Sequence, residues 1–244
     1  MYDPSHPSFT APTNPDISVW RYMDLPKLAS MLHTNKLWFS RSDLLGDPHE
    51  GARGKFNQQT RMDFYGENYL SVNTRWNNLG KIARETTYVS CWHMAEIESV
   101  AMWRAYTTTG HGVAIRSTFH KLTAEVIDSR TFYAGEVRYL DPDSEWIDEG
   151  NAFSPFLCKR KSFEYEREVR LMCMGVPYPP TGPDPTYTSP AGYGFKANVG
   201  DLIDEVYIAP DHPQWFRETV QAVIEKFTPG VPVKQSDLDR SPMY

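Results

Sequence analysis

The sequence predicts a single α+β domain with a mixed, mostly antiparallel sheet and flanking helices. Short alternating segments occur along the whole chain, and they mix with helical segments without a strict strand–helix order. The length of 244 residues lies near the upper limit for one hydrophobic core, and no long tether divides the chain. Residues 1–15 contain four prolines and predict an extended N-terminal arm, so the domain is expected at residues 16–244.

The first half of the chain predicts short strands around a few helices. Asp24 and Pro26 are typical of a helix start, and Asn35 is typical of a helix end. Ser99 is a second candidate helix cap. The predicted elements are strands at 17–22, 37–40, 87–92 and 111–117, helices at 25–35, 52–84 and 100–106, and a turn-rich loop at 46–51.

The second half continues this mixture. Its predicted strands lie at 125–128, 135–139, 163–173, 204–210 and 231–234, its helices at 153–161 and 212–227, and a Pro-rich loop at 177–190. The order of these elements favours an α+β fold over a doubly wound sheet.

Composition excludes several classes of protein. The net charge of −6 and pI near 5.7 argue against a general attraction to nucleic acid or anionic membranes, although a local basic patch remains compatible with them. Three separated cysteines, Cys91, Cys158 and Cys173, favour a reducing cytoplasm over a disulfide framework or a zinc site. The N-terminus lacks the features of a secretion signal, and no apolar run is long enough to span a membrane. We therefore expect a cytoplasmic protein without a membrane partner.

The segment from Phe163 to Cys173 carries the most informative pattern. Its alternation puts Glu166, Glu168 and Arg170 on one face of a strand, about 7 Å apart from one to the next. Such a row of charge is compatible with a solvated surface strand and equally with a functional site. No Walker loop, nucleophile elbow, zinc-protease motif or dinucleotide-binding glycine motif occurs elsewhere in the chain.

The order of several motifs resembles the bacterial domain-of-unknown-function family numbered 2971. The motifs are Trp20-Arg-Tyr, Leu37-Trp-Phe-Ser, Gly46-Asp-Pro-His-Glu, Val89-Ser-Cys-Trp, Met102-Trp-Arg-Ala-Tyr, His111-Gly-Val-Ala-Ile, Tyr165-Glu-Arg-Glu-Val-Arg-Leu and Glu205-Val-Tyr-Ile-Ala-Pro. Members usually show Asn-Asp-Pro-Phe-Glu at the third motif and a Ser-Phe-Ser type triplet at Ser90, so the chain departs from the family at both places. The family name implies no chemistry.

A second similarity is to the ADP-ribosyltransferase superfamily. In those proteins a first strand offers Arg or His, a second offers Ser, Thr or Tyr, and a third begins with a Glu-x-Glu motif. The corresponding residues here are Arg21, Ser90 and the pair Glu166 and Glu168. The resemblance implies an NAD-using enzyme, in the manner of bacterial toxins or phage-defence proteins, with a protein or nucleic acid as the target.

The chemistry of NAD cleavage requires such a set of residues. A carboxylate at Glu168 would stabilise the positive charge that develops on the ribose, with Glu166 beside it. Arg21 and Arg170 are candidates for binding the nucleotide, because a guanidinium forms paired bonds with phosphate. The ring of Tyr22 is a candidate stacking partner for nicotinamide.

Two other classes remain open at the level of sequence. Asp47, Glu50, Glu166 and Glu168 could converge on Mg²⁺ in a nuclease or phosphodiesterase, since hard cations prefer carboxylate oxygens. The chain could also be a non-catalytic module that binds a small ligand. The favoured prediction has no metal, and it expects a common cleft lined by Arg21, Tyr22, Asp47, Glu166, Glu168 and Arg170.

Overall fold

The computed structural model describes residues 1–107, 111–175 and 188–240 of the chain. The strands are β1 (Ser18–Asp24), β2 (Lys36–Arg41), β3 (Thr87–Met94), β4 (Gly112–Thr118), β5 (Tyr133–Glu136), β6 (Arg138–Leu140), β7 (Cys158–Arg160), β8 (Glu168–Met174), β9 (Gly192–Lys196), β10 (Glu205–Ile208) and β11 (Val233–Gln235). The helices are α1 (Leu25–Thr34), α2 (Lys55–Tyr65), α3 (Tyr69–Thr86), α4 (Val100–Tyr106), α5 (Phe119–Ala124), α6 (Val199–Leu202) and α7 (Gln214–Phe227). Most of the predicted loop at 177–190 lies outside the described residues.

One large sheet organises the described part of the chain. Its strands follow the order β11, β10, β4, β1, β3, β2 and β9, with β8 paired to β3 and β5 paired to β8. Neighbours in this sheet are antiparallel, except that β10 and β11 are parallel. The prediction of an α+β fold on a mixed, mostly antiparallel sheet is confirmed.

The sheet divides along one edge of β3. At one end of that edge, β1 pairs with β3 through Trp20 and His93, and at the other end β2 pairs with β3 through Ser40 and Val89. Between these contacts the edge of β3 at 90–92 pairs with no described strand on that side, because β1 and β2 diverge. We call this gap the fork.

The main hydrophobic core lies on one face of the sheet. Alternate residues of β1 and β8, such as Val19, Met23, Val169 and Leu171, point into it. Helices α1, α5, α6 and α7 cover this face with their apolar residues. The opposite face carries smaller clusters, one with α4 and one with the segment 153–157.

Helix α1 shows how local sequence defines an element of this core. Pro26 lies in its first turn, and Asn35 adopts the left-handed conformation at its C-terminus, with φ of 50°. Leu28, Met31 and Leu32 recur at helical spacing and are buried. The predicted helix is confirmed, although the Asp24 side chain makes no capping hydrogen bond.

Three predicted elements differ from the structure in type or in number. The segment 125–128 forms only an isolated bridge from Val126 to Ala197, after the short helix α5. The predicted helix at 153–161 is a 3₁₀ turn (Ser154–Leu157) followed by β7, because residues 158–160 pair with β6. The predicted helix at 52–84 is two helices, which separate at Gly66 with φ of 50°. Strand β9 and helices α5 and α6 were not predicted.

The predicted charged strand begins later than expected. Residues 161–166 form a 3₁₀ turn, and Arg167 adopts a left-handed conformation with φ of 38° before β8 begins at Glu168. Only Glu168 and Arg170 therefore share a strand face, and Glu166 approaches them from the turn.

The N-terminal residues contact the sheet. Tyr2 forms an isolated bridge with Phe132, and the ring of Phe9 stacks on Tyr133 with centroids 5.3 Å apart. Throughout the described ranges, no helix has both the length and the apolar character needed to cross a membrane.

Candidate functional site

A cavity of about 1050 Å³ opens at the fork, and we call it the fork cavity. It brings together side chains from β1, β2, β3, β8, α1 and α4. Seven of the eight residues predicted from sequence line it, namely Arg21, Tyr22, Asp47, Glu50, Glu166, Glu168 and Arg170. Ser90 is fully buried beside it.

Arg21 connects the three strands that meet at the fork. It extends from β1, its Nη1 donates a hydrogen bond to the Ser90 hydroxyl on β3 at 2.9 Å, and its Nη2 donates to the Trp38 carbonyl oxygen on β2 at 3.2 Å. The guanidinium also lies 5.6 Å from the ring centroid of Trp92. Ser90 and Trp92 therefore hold the guanidinium in place at the edge of the cavity.

The electrostatic environment of Arg21 is unusual for a partly buried arginine. Burial lowers the pKa of Arg21 to about 10, and among the described residues no carboxylate counters this effect. Buried charges are normally paired, because desolvating an isolated ion is unfavourable. An anion bound in the cavity would supply the missing partner.

The acidic row is buried within a network of ion pairs. Glu168 is only 3% exposed, and its two oxygens accept hydrogen bonds from Lys159 at 2.7 Å and from Nε of Arg170 at 2.6 Å. Lys159 also bonds to Glu166, and Arg170 bonds to both oxygens of Glu50. A solvated surface strand, one of the two interpretations of the sequence, is therefore wrong for this row.

The charges of this network favour one protonated carboxyl group. Three carboxyl groups, of Glu50, Glu166 and Glu168, face two cations, of Lys159 and Arg170. Full ionisation would leave a net negative charge in a buried site. The proton is expected on the carboxyl group with the weakest cationic support.

That group is Glu166. Burial, together with the hydrogen bond and charge of Glu168, raises the pKa of Glu166 to about 7, against the opposing effect of Lys159. Burial would also raise the pKa of Glu168, but the charge of Arg170, the hydrogen bond with Glu166 and the charge of Lys159 hold it well below its usual range. Near neutral pH, one carboxyl group can therefore exchange a proton while its neighbour stays ionised.

His93 and Cys91 lie on the same face as Glu168 and Arg170. Nδ1 of His93 lies 2.6 Å from the carbonyl oxygen of Glu166, and burial lowers the pKa of this imidazole. Burial and the charge of Glu168 raise the pKa of the Cys91 thiol. A protonated thiol is a poor nucleophile, so Cys91 is not a candidate for covalent chemistry.

The loop at 46–51 forms one wall of the fork cavity. Asp47 accepts hydrogen bonds from Arg160 at 3.1 Å and from the backbone N–H of His49 at 2.9 Å. Asp47, Glu50 and Lys159 also line a second cavity of about 710 Å³ on the other side of this wall. The contacts of Asp47 are those of a turn and an ion pair, and those of Glu50 anchor the loop to β8.

Aromatic side chains line the cavity near the acidic row. Tyr22 is 6% exposed, and its ring packs edge-on against Trp103 at 4.8 Å between centroids. Tyr106 is 42% exposed. Phe163 contacts Lys159, whose Nζ lies 4.6 Å from its ring centroid. Tyr106 and Phe163 therefore present more ring surface to a ligand than Tyr22 does.

Two main residues of the cavity were not predicted from the sequence. Lys159 was placed in a predicted helix, and nothing in its local sequence indicates that it contacts two glutamates. Trp38 had a signal, because the alternation of Leu37, Trp38 and Phe39 directs its large ring away from the core.

The described residues contain no cluster of metal ligands that would support the Mg²⁺ hypothesis. There, no group of three or more His, Cys, Asp or Glu side chains has an arrangement that could hold a metal ion. Glu50 and Glu168 are already bound to Arg170, and a cation would have to displace this buried guanidinium.

Comparisons with known proteins give a partial family match. The model of the family described as "Protein of unknown function (DUF2971)" matches residues 102–171. Over this range the resemblance inferred from sequence is confirmed, including the motifs that begin at Met102, His111 and Tyr165. The motifs outside residues 102–171 are not part of the match. The search of curated proteins found no match.

One similar solved structure is described as "Thermus sp. 2.9 DarT in complex with NAD+". It is 11% identical in sequence, with a TM-score of 0.40, and the alignment covers 95% of this chain and 100% of that chain. The roles proposed below rest on the geometry of the fork cavity itself.

Proposed function

We propose that the protein is an ADP-ribosyltransferase-like enzyme that binds NAD⁺ in the fork cavity and transfers its ADP-ribose to an acceptor. The observation that carries the proposal is the presence, in one cavity, of a buried ionised glutamate and of an arginine that has no carboxylate partner in the described part of the chain. A volume of about 1050 Å³ also suits a dinucleotide, because small-molecule sites commonly measure about 300–1,000 Å³.

Arg21 binds the pyrophosphate in this proposal. Its guanidinium has no anionic partner among the residues that the structure describes, and a phosphate would form charge-assisted hydrogen bonds with the N–H groups that Ser90 and Trp38 leave free. Ser90 is then a positioning residue, because its hydroxyl orients Arg21 without lining the cavity. Arg170, the other arginine predicted to bind the nucleotide, is occupied by Glu50 and Glu168 and instead orients Glu168.

Glu168 stabilises the positive charge on the ribose during cleavage. The bond between the ribose C1′ and the nicotinamide nitrogen breaks, and neutral nicotinamide leaves with the electron pair. An ionised carboxylate in a buried site interacts strongly with the oxocarbenium ion that forms. Lys159 and Arg170 fix the Glu168 carboxylate, whose remaining lone pairs are available to a ribose hydroxyl.

Glu166 accepts the proton of the incoming nucleophile. The acceptor hydroxyl, amine or water forms the new bond to C1′ and loses one proton as it does so. A carboxyl group with a pKa of about 7 is ionised in part of the molecules at neutral pH and can take up that proton. Tyr106 and Phe163 flank this end of the cavity and provide rings on which nicotinamide can stack.

The direct test is the release of nicotinamide from NAD⁺, measured by chromatography with and without bacterial extract as the source of acceptor. We expect Glu168→Gln to lower the rate by at least about a hundredfold. Glu164→Gln is the matched control, because Glu164 is an exposed residue of the neighbouring turn. An unchanged rate in Glu168→Gln, or no nicotinamide release by the wild-type protein, would refute the proposal.

The acceptor class belongs to the same proposal. A protein or nucleic-acid target would retain label from NAD⁺ that carries radioactive phosphate, and treating the labelled extract with protease or nuclease identifies which. A toxin or phage-defence role predicts that the wild-type protein arrests bacterial growth on expression and that Glu168→Gln does not. Binding of ADP-ribose without nicotinamide release would instead favour the non-catalytic ligand-binding module.

A further inference from the structure

Trp38 has an unusual position for a large aromatic residue. Its neighbours Leu37 and Phe39 are fully buried in the main core, and alternation places Trp38 on the opposite face of β2. The side chain is 49% exposed, and it lines the fork cavity rather than packing in a hydrophobic cluster. Core packing therefore does not explain why a tryptophan occupies this position.

A glycine on the adjacent strand makes room for the indole. A Cβ atom at Gly192 on β9 would lie 2.4 Å from Cζ2 of Trp38 and 2.5 Å from Cε2, closer than any real contact. The six-membered part of the indole therefore lies directly against the backbone of β9. This support holds the ring in place and leaves its exposed surface available to a flat ligand.

Trp38 is also adjacent to the proposed phosphate site. Its backbone carbonyl accepts the hydrogen bond from Nη2 of Arg21, so the ring and the guanidinium are held by the same residue. Glu168 lies on β8, on the other side of β3 from β2, and β2 no longer pairs with β3 at Trp38, so the two residues are at least two strand spacings, about 10 Å, apart. That separation leaves room for a ribose and phosphates between a base on Trp38 and the reactive ribose at Glu168.

We propose that Trp38 is the stacking platform for the adenine base of the nucleotide substrate. The inference rests on the proposed function, which makes the substrate a dinucleotide with one end at Glu168. Arg21 holds the phosphates between the two ends, and Trp38 binds the base that does not react. Stacking on tryptophan does not require a particular base. ADP contains the adenine base and the phosphates, so it carries the part of the substrate that Trp38 and Arg21 would bind.

The experiment compares two fragments of NAD⁺ by isothermal titration calorimetry. ADP carries the adenine end, and nicotinamide mononucleotide carries the reacting end. We expect Trp38→Leu to weaken ADP binding about 5- to 150-fold, the range of base–aromatic stacking, and to leave the affinity for nicotinamide mononucleotide within about twofold. Trp38→Phe should retain most of the ADP affinity, because a phenyl ring can still stack.

Trp215→Leu is the matched control, since Trp215 is a 56% exposed tryptophan of α7 that does not line the fork cavity. Equal ADP affinity in wild type and Trp38→Leu, or no ADP binding by the wild type, would overturn the inference. An equal loss of both fragments would also overturn it, because Trp38 would then act on the whole cavity. If ADP binding depends on Trp38 but NAD⁺ is never cleaved, the platform stands and the proposed enzymatic function fails.

Discussion

Replacing Arg170 by methionine should strongly destabilise the fold. Arg170 is fully buried, and its guanidinium bonds to both oxygens of Glu50, to Glu168 at 2.6 Å and to the carbonyl oxygen of Phe156 at 2.6 Å. Methionine preserves much of the volume but removes the charge and every donor. The perturbation therefore tests the electrostatic network more than the packing.

The expected magnitude follows from which partners are left. Glu168 keeps Lys159, but Glu50 loses its ion-pair partner while remaining buried. Breaking a buried ion pair on one side typically costs about 3–5 kcal/mol. For a chain of this length that corresponds to a fall in Tm of roughly 6–20 °C.

Urea unfolding of a small set of variants measures this effect. The set comprises Arg170→Met, Glu50→Gln and the double variant. Lys161→Met is the control, because Lys161 forms an ion pair with Glu145 in which the two side chains are 59% and 46% exposed. We expect the double variant to lose less free energy of unfolding than the two single variants together, by about 1–3 kcal/mol. Lys161→Met should change stability by less than about 1 kcal/mol.

A loss in Arg170→Met no larger than that in Lys161→Met would refute this reasoning. The acidic row would then behave as a solvated surface, and the fixed position of Glu168 on which the proposed catalysis depends would have no support. Unaltered nicotinamide release in a folded Arg170→Met variant would separately show that Arg170 does not orient Glu168.

Three further predictions concern the fork cavity. The pKa of Glu166 is raised to about 7, above its value in the unfolded chain, so this group stabilises the fold fully below pH 4–5 and loses that contribution as the pH rises through 7. Between these pH values the free energy of unfolding of the wild type should fall by about 1–3 kcal/mol relative to that of Glu166→Gln, measured by urea unfolding. Gly192→Ala should lower the free energy of unfolding by about 1–3 kcal/mol, because the new Cβ would lie 2.5 Å from the backbone oxygen of Phe39. Gly194→Ala should lower it by less than about 1 kcal/mol in the same assay, because its Cβ would meet Cδ of the flexible Lys36 side chain at 2.8 Å. Arg21→Lys keeps the charge but loses the paired donors of the guanidinium, so it should weaken ADP binding about tenfold in calorimetry. An unchanged affinity would show that Arg21 does not bind the phosphates.

Several parts of the fold were predictable because their signals are local. The runs of β-branched and aromatic residues in β1 and β4, the proline at the start of α1 and the left-handed Asn35 at its end all act within a few residues. The failures occurred where partners distant in sequence decide the conformation. Residues 158–160 form β7 because β6 pairs with them, and the left-handed turn at Arg167 ends the 3₁₀ segment before β8 begins.

The candidate site shows the same division. From sequence alone, Glu166, Glu168 and Arg170 could be chosen because they are charged residues at alternate positions of an apolar segment, and Arg21 could be chosen only through the superfamily resemblance. The sequence could not show that Glu168 is buried, since burial depends on which loop covers the strand. It also missed Lys159, whose contact with both glutamates exists only once folding brings β7 close to the start of β8.

The amino-acid sequence by itself determined the class of fold, most strands and helices, and the identity of the charged and aromatic residues available for chemistry. These properties follow from periodicity and from caps and turns, which act over a few residues. Only the tertiary structure decided that β1 and β2 diverge from β3, and that Arg21, Trp38 and Glu168 surround one cavity. Strand pairing and the pairing of buried charges join residues far apart in the chain, and the stability of those contacts depends on burial that exists only in the folded protein.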